Sequence, residues 1–127
     1  MIKNIKTDKA PKAIGPYSAG LELDDFVYIS GQLPVDPKEG KIVTEDVGEQ
    51  AKQSLTNIKS ILEEVGLNMS NVVKTTVLLK DINDFAKVNE VYATFFEEPY
   101  PTRAAYQVVA LPAGALVEIE AVAYKNK

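Results

Sequence analysis

A single change of hydrophobic period constrains this chain more than any other feature. From Asp46 onward, Val47, Ala51, Leu55, Ile58, Leu62 and Val65 recur at three- and four-residue spacing and lay one apolar stripe along a helix. Thr44 or Glu45 is expected to begin that helix and Gly66 to end it. A few residues later, Val72–Leu79 is apolar and β-branched, the composition of a buried strand.

The same contrast recurs along the rest of the chain. Residues 2–7 are expected to form a short first strand, and the prolines and glycine of Ala10–Pro16 a loop. Strand-like runs at Tyr17–Leu23 and Phe26–Gly31 flank Asp24-Asp25 as a hairpin, and Pro34–Gly40 is a second loop. Asp81–Asp84 offers N-caps for a second helix with Phe85, Val88, Tyr92 and Phe95/Phe96 on its apolar side, and Pro99 and Pro101 forbid its continuation. Two more strand-like runs follow, one from Arg103 and one over Val117–Tyr124. The order ββ(β)αβαββ predicts an α+β, two-layer sandwich: a mixed β-sheet with two helices on one face. At 127 residues, with no repeat and no linker-like interruption, residues 1–127 read as a single domain.

Composition narrows the chemistry. There is no cysteine and no histidine, which removes disulfides, thiol nucleophiles, imidazole bases and the commonest metal ligand. The formal charge of −4 carries no basic stripe, so no nucleic-acid partner is expected. A polar N-terminal stretch and the absence of a long apolar run give the expectation of a cytoplasmic chain with no membrane segment. Neither dinucleotide nor Walker glycine spacing is present, nor any calcium-loop or zinc pattern.

What remains is sparse. Arg103 is the sole arginine among 14 basic residues, and only a guanidinium presents the planar fork that meets a carboxylate at two oxygens. Glu118 and Glu120 share one strand face, opposite Val117, Ile119, Ala121 and Ala123, and either would suit water activation or a proton shuttle. If the last two strands formed a simple hairpin, Arg103 would lie near Tyr124 and Glu118 roughly 20 Å further along. Their meeting therefore requires another strand order or a neighbouring subunit. Gly15-Pro-Tyr17 and Ser30-Gly-Gln32 punctuate apolar surroundings, where a glycine admits close approach of a ligand to the backbone. Asn89 borders the apolar stripe of the second helix, as a satisfied boundary residue or as a ligand contact.

Taken together and in order, Ala13–Ser18, Ile29–Pro34, Val73–Val77, Asp84-Phe85 with Asn89, Arg103-Ala-Ala-Tyr106 and Val117–Ala121 resemble the RidA (reactive intermediate deaminase A, or YjgF) family from about residue 3 to the end. The resemblance implies a chorismate-mutase-like fold, a homotrimer with active sites between subunits, and no cofactor or metal. It implies hydrolysis of 2-imino acids, formed from enamines released by pyridoxal-phosphate dehydratases, to 2-keto acids and ammonia. By motif, Arg103 would bind the substrate carboxylate, Glu118 would position the hydrolytic water, and Tyr17 would add a hydrogen bond. Ser30, Gly31 and Asn89 would line the pocket, with Ala105 where many members carry cysteine. Two other readings sit on the same fold: a non-catalytic regulator that binds small carboxylates, and an endoribonuclease that inhibits translation. The negative charge and the missing histidine speak against the latter.

Overall fold

In the computed structural model, which describes residues 1–127, the predicted apolar stripe folds as helix α1 (Val47–Glu64). Asp46 is its N-cap, accepting from the Glu49 N–H at 2.9 Å, so the helix starts later than Thr44 or Glu45. Thr44 instead accepts from the Asp46 N–H, one step upstream. Gly66 ends the helix as expected: at φ 77 it turns the chain so that its own N–H and that of Leu67 reach the carbonyls of Glu63 and Leu62. Ala51, Leu55, Ile58, Ile61 and Leu62 are fully buried along the stripe.

Six strands surround this helix in the sequence: β1 (Ile2–Ile5), β2 (Gly20–Leu23), β3 (Phe26–Gln32), β4 (Val72–Leu79), β5 (Thr102–Gln107) and β6 (Val117–Tyr124). Helix α2 (Phe85–Ala93) lies between β4 and β5. The strands form one mixed sheet in the order β1-β2-β3-β6-β4-β5, in which only β4 and β5 are parallel. A parallel neighbour needs a crossover, and α2 supplies it. The last two strands are therefore not a hairpin, because β4 lies between them.

Alternation along β6 assigns the two faces. Val117, Ile119, Ala121 and Ala123 are buried and face the helices with Thr75, Val77 and Leu79 of β4, while Glu118, Glu120, Val122 and Tyr124 point the other way. No helix covers that second face. Phe26, Tyr28 and Tyr106 stand on it 40%, 48% and 51% exposed, an apolar surface without a second layer.

Some boundaries move for local reasons. The first strand ends at Ile5, and the second begins only at Gly20, because Gly15 at φ 127 and Pro16 fold Tyr17 into a tight turn closed by its N–H on the Gly15 carbonyl. Asp81 caps a short 3-10 turn, Ile82–Asp84, by accepting from the Asn83 N–H, and α2 itself starts at Phe85. Val88 and Tyr92 are buried on α2, and Phe96 is buried just beyond it.

Candidate active site

Arg103 sits on the edge strand β5 in register with Thr75. Thr75 faces the helices, where its hydroxyl lies 2.7 Å from the Tyr92 hydroxyl, so Arg103 projects over the same side. Phe85, Asn89 and Tyr92 fall on one side of α2 and meet it there. Nη1 of Arg103 donates to Oδ1 of Asn89 at 2.8 Å, and the guanidinium carbon lies 5.1 Å from the Phe85 ring centre and 4.8 Å from that of Tyr92. Burial pushes the Tyr92 hydroxyl above its ordinary pKa, outweighing the opposing pull of Thr75 and Arg103, so the ring remains a neutral platform. One amide and two aromatic rings fix the guanidinium plane, and the hydrogen bond to Asn89 uses only one of five donors. Ala105 lies two residues on, half-buried on the same side.

Glu118 is built differently. Ile29 pairs with Ala121 and Gln32 with Ile119, so Ser30 and Gly31 of β3 together oppose the single residue Glu120 of β6. This β-bulge re-aims the strand beside Glu118. A Cβ on Gly31 would come 2.8 Å from Oε2 of Glu118 and 2.9 Å from its Cδ, so the carboxylate itself occupies the space the glycine leaves open. The Ser30 hydroxyl donates to the Ser18 carbonyl at 2.6 Å and its N–H to that of Ala19, which ties the loop before β2 to the bulge. Tyr17, half exposed, joins Ser30, Gly31 and Glu118 around a concavity of about 560 Å³. Burial, and then the neighbouring Glu120 carboxylate, hold Glu118 above the usual carboxylate range.

The seven residues named from sequence thus fall into two groups. Tyr17, Ser30, Gly31 and Glu118 share one concavity, whereas Arg103, Asn89 and Ala105 share the helix side of the edge strand. Along β4 the two groups differ by the step from Thr75 to Leu78, about 10 Å, and they lie on opposite faces of the sheet. A different strand order is realised, yet it does not bring Arg103 to Glu118 within one chain. Phe85 and Tyr92 read in the sequence only as apolar helix positions; their spacing around Asn89 was the available signal for a cradle. No three or more Asp and Glu side chains cluster to hold a metal ion.

Known proteins match this chain along nearly its whole length. The family model described as endoribonuclease L-PSP matches residues 7–125. The 2-iminobutanoate/2-iminopropanoate deaminase of Bos taurus is 58% identical over 124 residues, which span 98% of this chain and 90% of the relative. The structure of RidA from the Antarctic bacterium Psychrobacter superposes with a TM-score of 0.92 at 48% identity, covering 96% of this chain and 98% of its own. That of E. coli TdcF with bound serine gives 0.91 at 48% identity, with the same coverage. Fold, motif order and overall similarity agree, and the chain belongs to the RidA/YjgF family, whose model carries the L-PSP endoribonuclease description.

Proposed function

We propose that this protein is an enamine/imine deaminase that hydrolyses 2-iminopropanoate and 2-iminobutanoate to 2-keto acids and ammonia. The observation that carries the reading is a sole arginine held rigidly by α2, in a chain 58% identical to a 2-iminobutanoate/2-iminopropanoate deaminase. TdcF, whose structure holds serine, is a relative that accepts an α-amino acid, a ligand with the same carboxylate and neighbouring nitrogen.

In this reading the protein works as a homotrimer, with each active site between two copies. The split between the faces supports it: Arg103 and Glu118 meet only if one copy presents its edge strand to the open sheet face of another. The uncovered Phe26, Tyr28 and Tyr106 give that face an apolar area to bury. Arg103 grips the substrate carboxylate with the donors Asn89 leaves free. The iminium carbon is already electrophilic, so water needs positioning and a proton acceptor rather than a metal. Glu118 takes a proton from the attacking water as the C–O bond forms, giving a carbinolamine. It returns that proton to the amino nitrogen, and as the C–N bond breaks it takes the hydroxyl proton while the C=O bond forms; the departing ammonia carries that proton away as ammonium and leaves the 2-keto acid behind. Tyr17 and the Ser30–Gly31 bulge shape the water side of the cleft. No helix is long and apolar enough to cross a membrane, and a cytoplasmic setting belongs to the proposal.

The composition speaks against the endoribonuclease description of the family model: the formal charge is −4 and there is no histidine. The deciding assay generates 2-iminopropanoate or 2-iminobutanoate with an amino-acid oxidase and lets the protein compete with semicarbazide for the imine. Wild type should suppress semicarbazone formation. Arg103→Ala should lose about 3 kcal/mol or more of transition-state binding, on the order of 10²-fold or greater in rate. Arg103→Lys should be poor as well, since a point charge lacks the fork. No suppression by wild type across several imino acids would leave a carboxylate-binding regulator as the better reading.

A further inference from the structure

We propose that Asn57 and Gln50 are positioning residues for this reaction: two buried amides on α1 that clamp the irregular segments on either side of Glu118. The proposal rests on the deaminase reading above and adds to it residues that touch neither substrate nor water.

Both side chains are buried, where an apolar residue would be ordinary. Nδ2 of Asn57 donates to the carbonyls of Leu33 at 3.2 Å and Val35 at 3.0 Å, while its Oδ1 accepts from Nε2 of Gln53 at 2.8 Å. Nε2 of Gln50 donates to the Thr44 carbonyl and its Oε1 accepts from the Leu116 N–H, both at 2.8 Å. Two helical turns separate the amides, which places them on one side of α1.

What they hold surrounds the candidate water site. Leu33 and Val35 follow directly from the bulged strand and line the same concavity as Glu118. Leu116 immediately precedes β6, two residues before Glu118. Outside the helices and strands, the backbone bonds of the segment 33–45 run only within it, from Asp36 N–H to the Lys41 carbonyl and from Gly40 N–H to that of Asp36. The side chains of Asn57 and Gln50 therefore tie that segment to the body of the molecule. An amide suits the task because it offers donors and an acceptor without a charge to bury. An aliphatic side chain would fill the volume but leave the Leu33, Val35 and Thr44 carbonyls without these partners. Since small displacements of a reacting group cost large factors in rate, fixing both approaches to Glu118 acts on the chemical step.

Asn57→Ala and Gln50→Ala, made separately, are compared with Leu62→Ala, a buried apolar change on the same helix whose side chain makes no hydrogen bond to either segment, all well below their melting temperatures. Each amide variant should lower kcat about 10-fold. KM should stay within about twofold, because the carboxylate grip comes from the edge strand and α2 of a neighbouring copy, to which neither amide is hydrogen-bonded. Leu62→Ala should keep wild-type kcat and KM even though its melting temperature falls at least as far. The Leu116 amide should exchange slowly with solvent in wild type and faster in Gln50→Ala. Wild-type kcat in both amide variants, or an equal loss in Leu62→Ala, would overturn the proposal. Should an amide variant fail to fold, fast exchange of Leu116 in wild type would overturn it as well. A wild type that hydrolyses no imine would instead sink the deaminase reading, and the exchange of Leu116 would still report on the clamp.

Discussion

The Arg103 side of the sheet and the Glu118 side are prepared in opposite ways. Arg103 stands exposed on an edge strand, yet one amide and two rings on α2 fix its plane, so rigidity comes from side chains stacked against it. Glu118 stands half-buried on a central strand, and a defect in the neighbouring strand makes room for it. The first arrangement preserves a charge in water; the second raises a carboxylate's proton affinity by withdrawing it from water. In the proposed reaction these are the two halves of one site, a pre-oriented cation and a desolvated carboxylate, and a single chain keeps them on opposite faces.

The largest effect expected from breaking this comparison comes from mixing copies. Arg103→Ala and Glu118→Ala chains, each nearly inactive alone, should regain about one quarter of wild-type activity when unfolded together in equal amounts and reassembled. That fraction is the share of sites drawing an intact arginine from one variant and an intact glutamate from the other. No recovery from a properly assembled mixture would place both residues in one chain's site. A smaller effect follows from Gly31→Ala, whose added Cβ must displace the Glu118 carboxylate: kcat should fall about 10-fold with assembly retained, and an unchanged kcat would separate the bulge from catalysis.

Titration sharpens the comparison further. Burial raises the Glu118 pKa, so the folded chain holds that proton more tightly than the unfolded one. The stability Glu118 contributes is therefore greatest in acid and is lost as pH rises through its raised pKa. Glu118→Gln should consequently gain melting temperature relative to wild type at neutral pH and lose that advantage in acid. A neighbouring copy's guanidinium would pull the other way, so Arg103→Ala should move the Glu118 titration, followed by carboxyl NMR, to higher pH. An unmoved titration would put the two groups far apart in the assembly. The smallest effect belongs to Tyr92→Phe, which keeps the ring against Arg103 but strips the buried Thr75 hydroxyl of its partner. It should cost about 1 kcal/mol in denaturant unfolding with little change in turnover. A large loss of activity would mean that the Tyr92 hydroxyl itself takes part in catalysis.

How legible the molecule was in its sequence depended on the range of the interaction involved. Helix α1 was readable from its stripe because a helix's periodicity is local. Arg103 stood out by being alone, and Asn89 by interrupting an apolar side, and the two prove to be hydrogen-bonded partners. The central place of β6 was not readable: strand order is decided by pairing across long separations, and no residue in Val117–Tyr124 records whether its neighbour is β5 or β4. The bulge at Ser30-Gly31 was hidden for the same reason, since it exists only relative to the register of β6. Gln50 and Asn57 went unremarked because polar residues beside an apolar stripe ordinarily reach solvent, and their burial depends on where two distant loops pass.

The position of β6 also bears on how the chain is made. It is the last of the six strands to be synthesised and the one that joins β3 to β4, so while it remains inside the ribosome the emerging chain holds a three-stranded meander and a β4-α2-β5 unit with nothing between them. The sheet then closes in one late step, after the earlier strands have waited with open edges, an interval in which pairing with another nascent chain competes with the native partner. Glu118 rides on that same strand, so a chain released early lacks the strand that completes the fold and the carboxylate together.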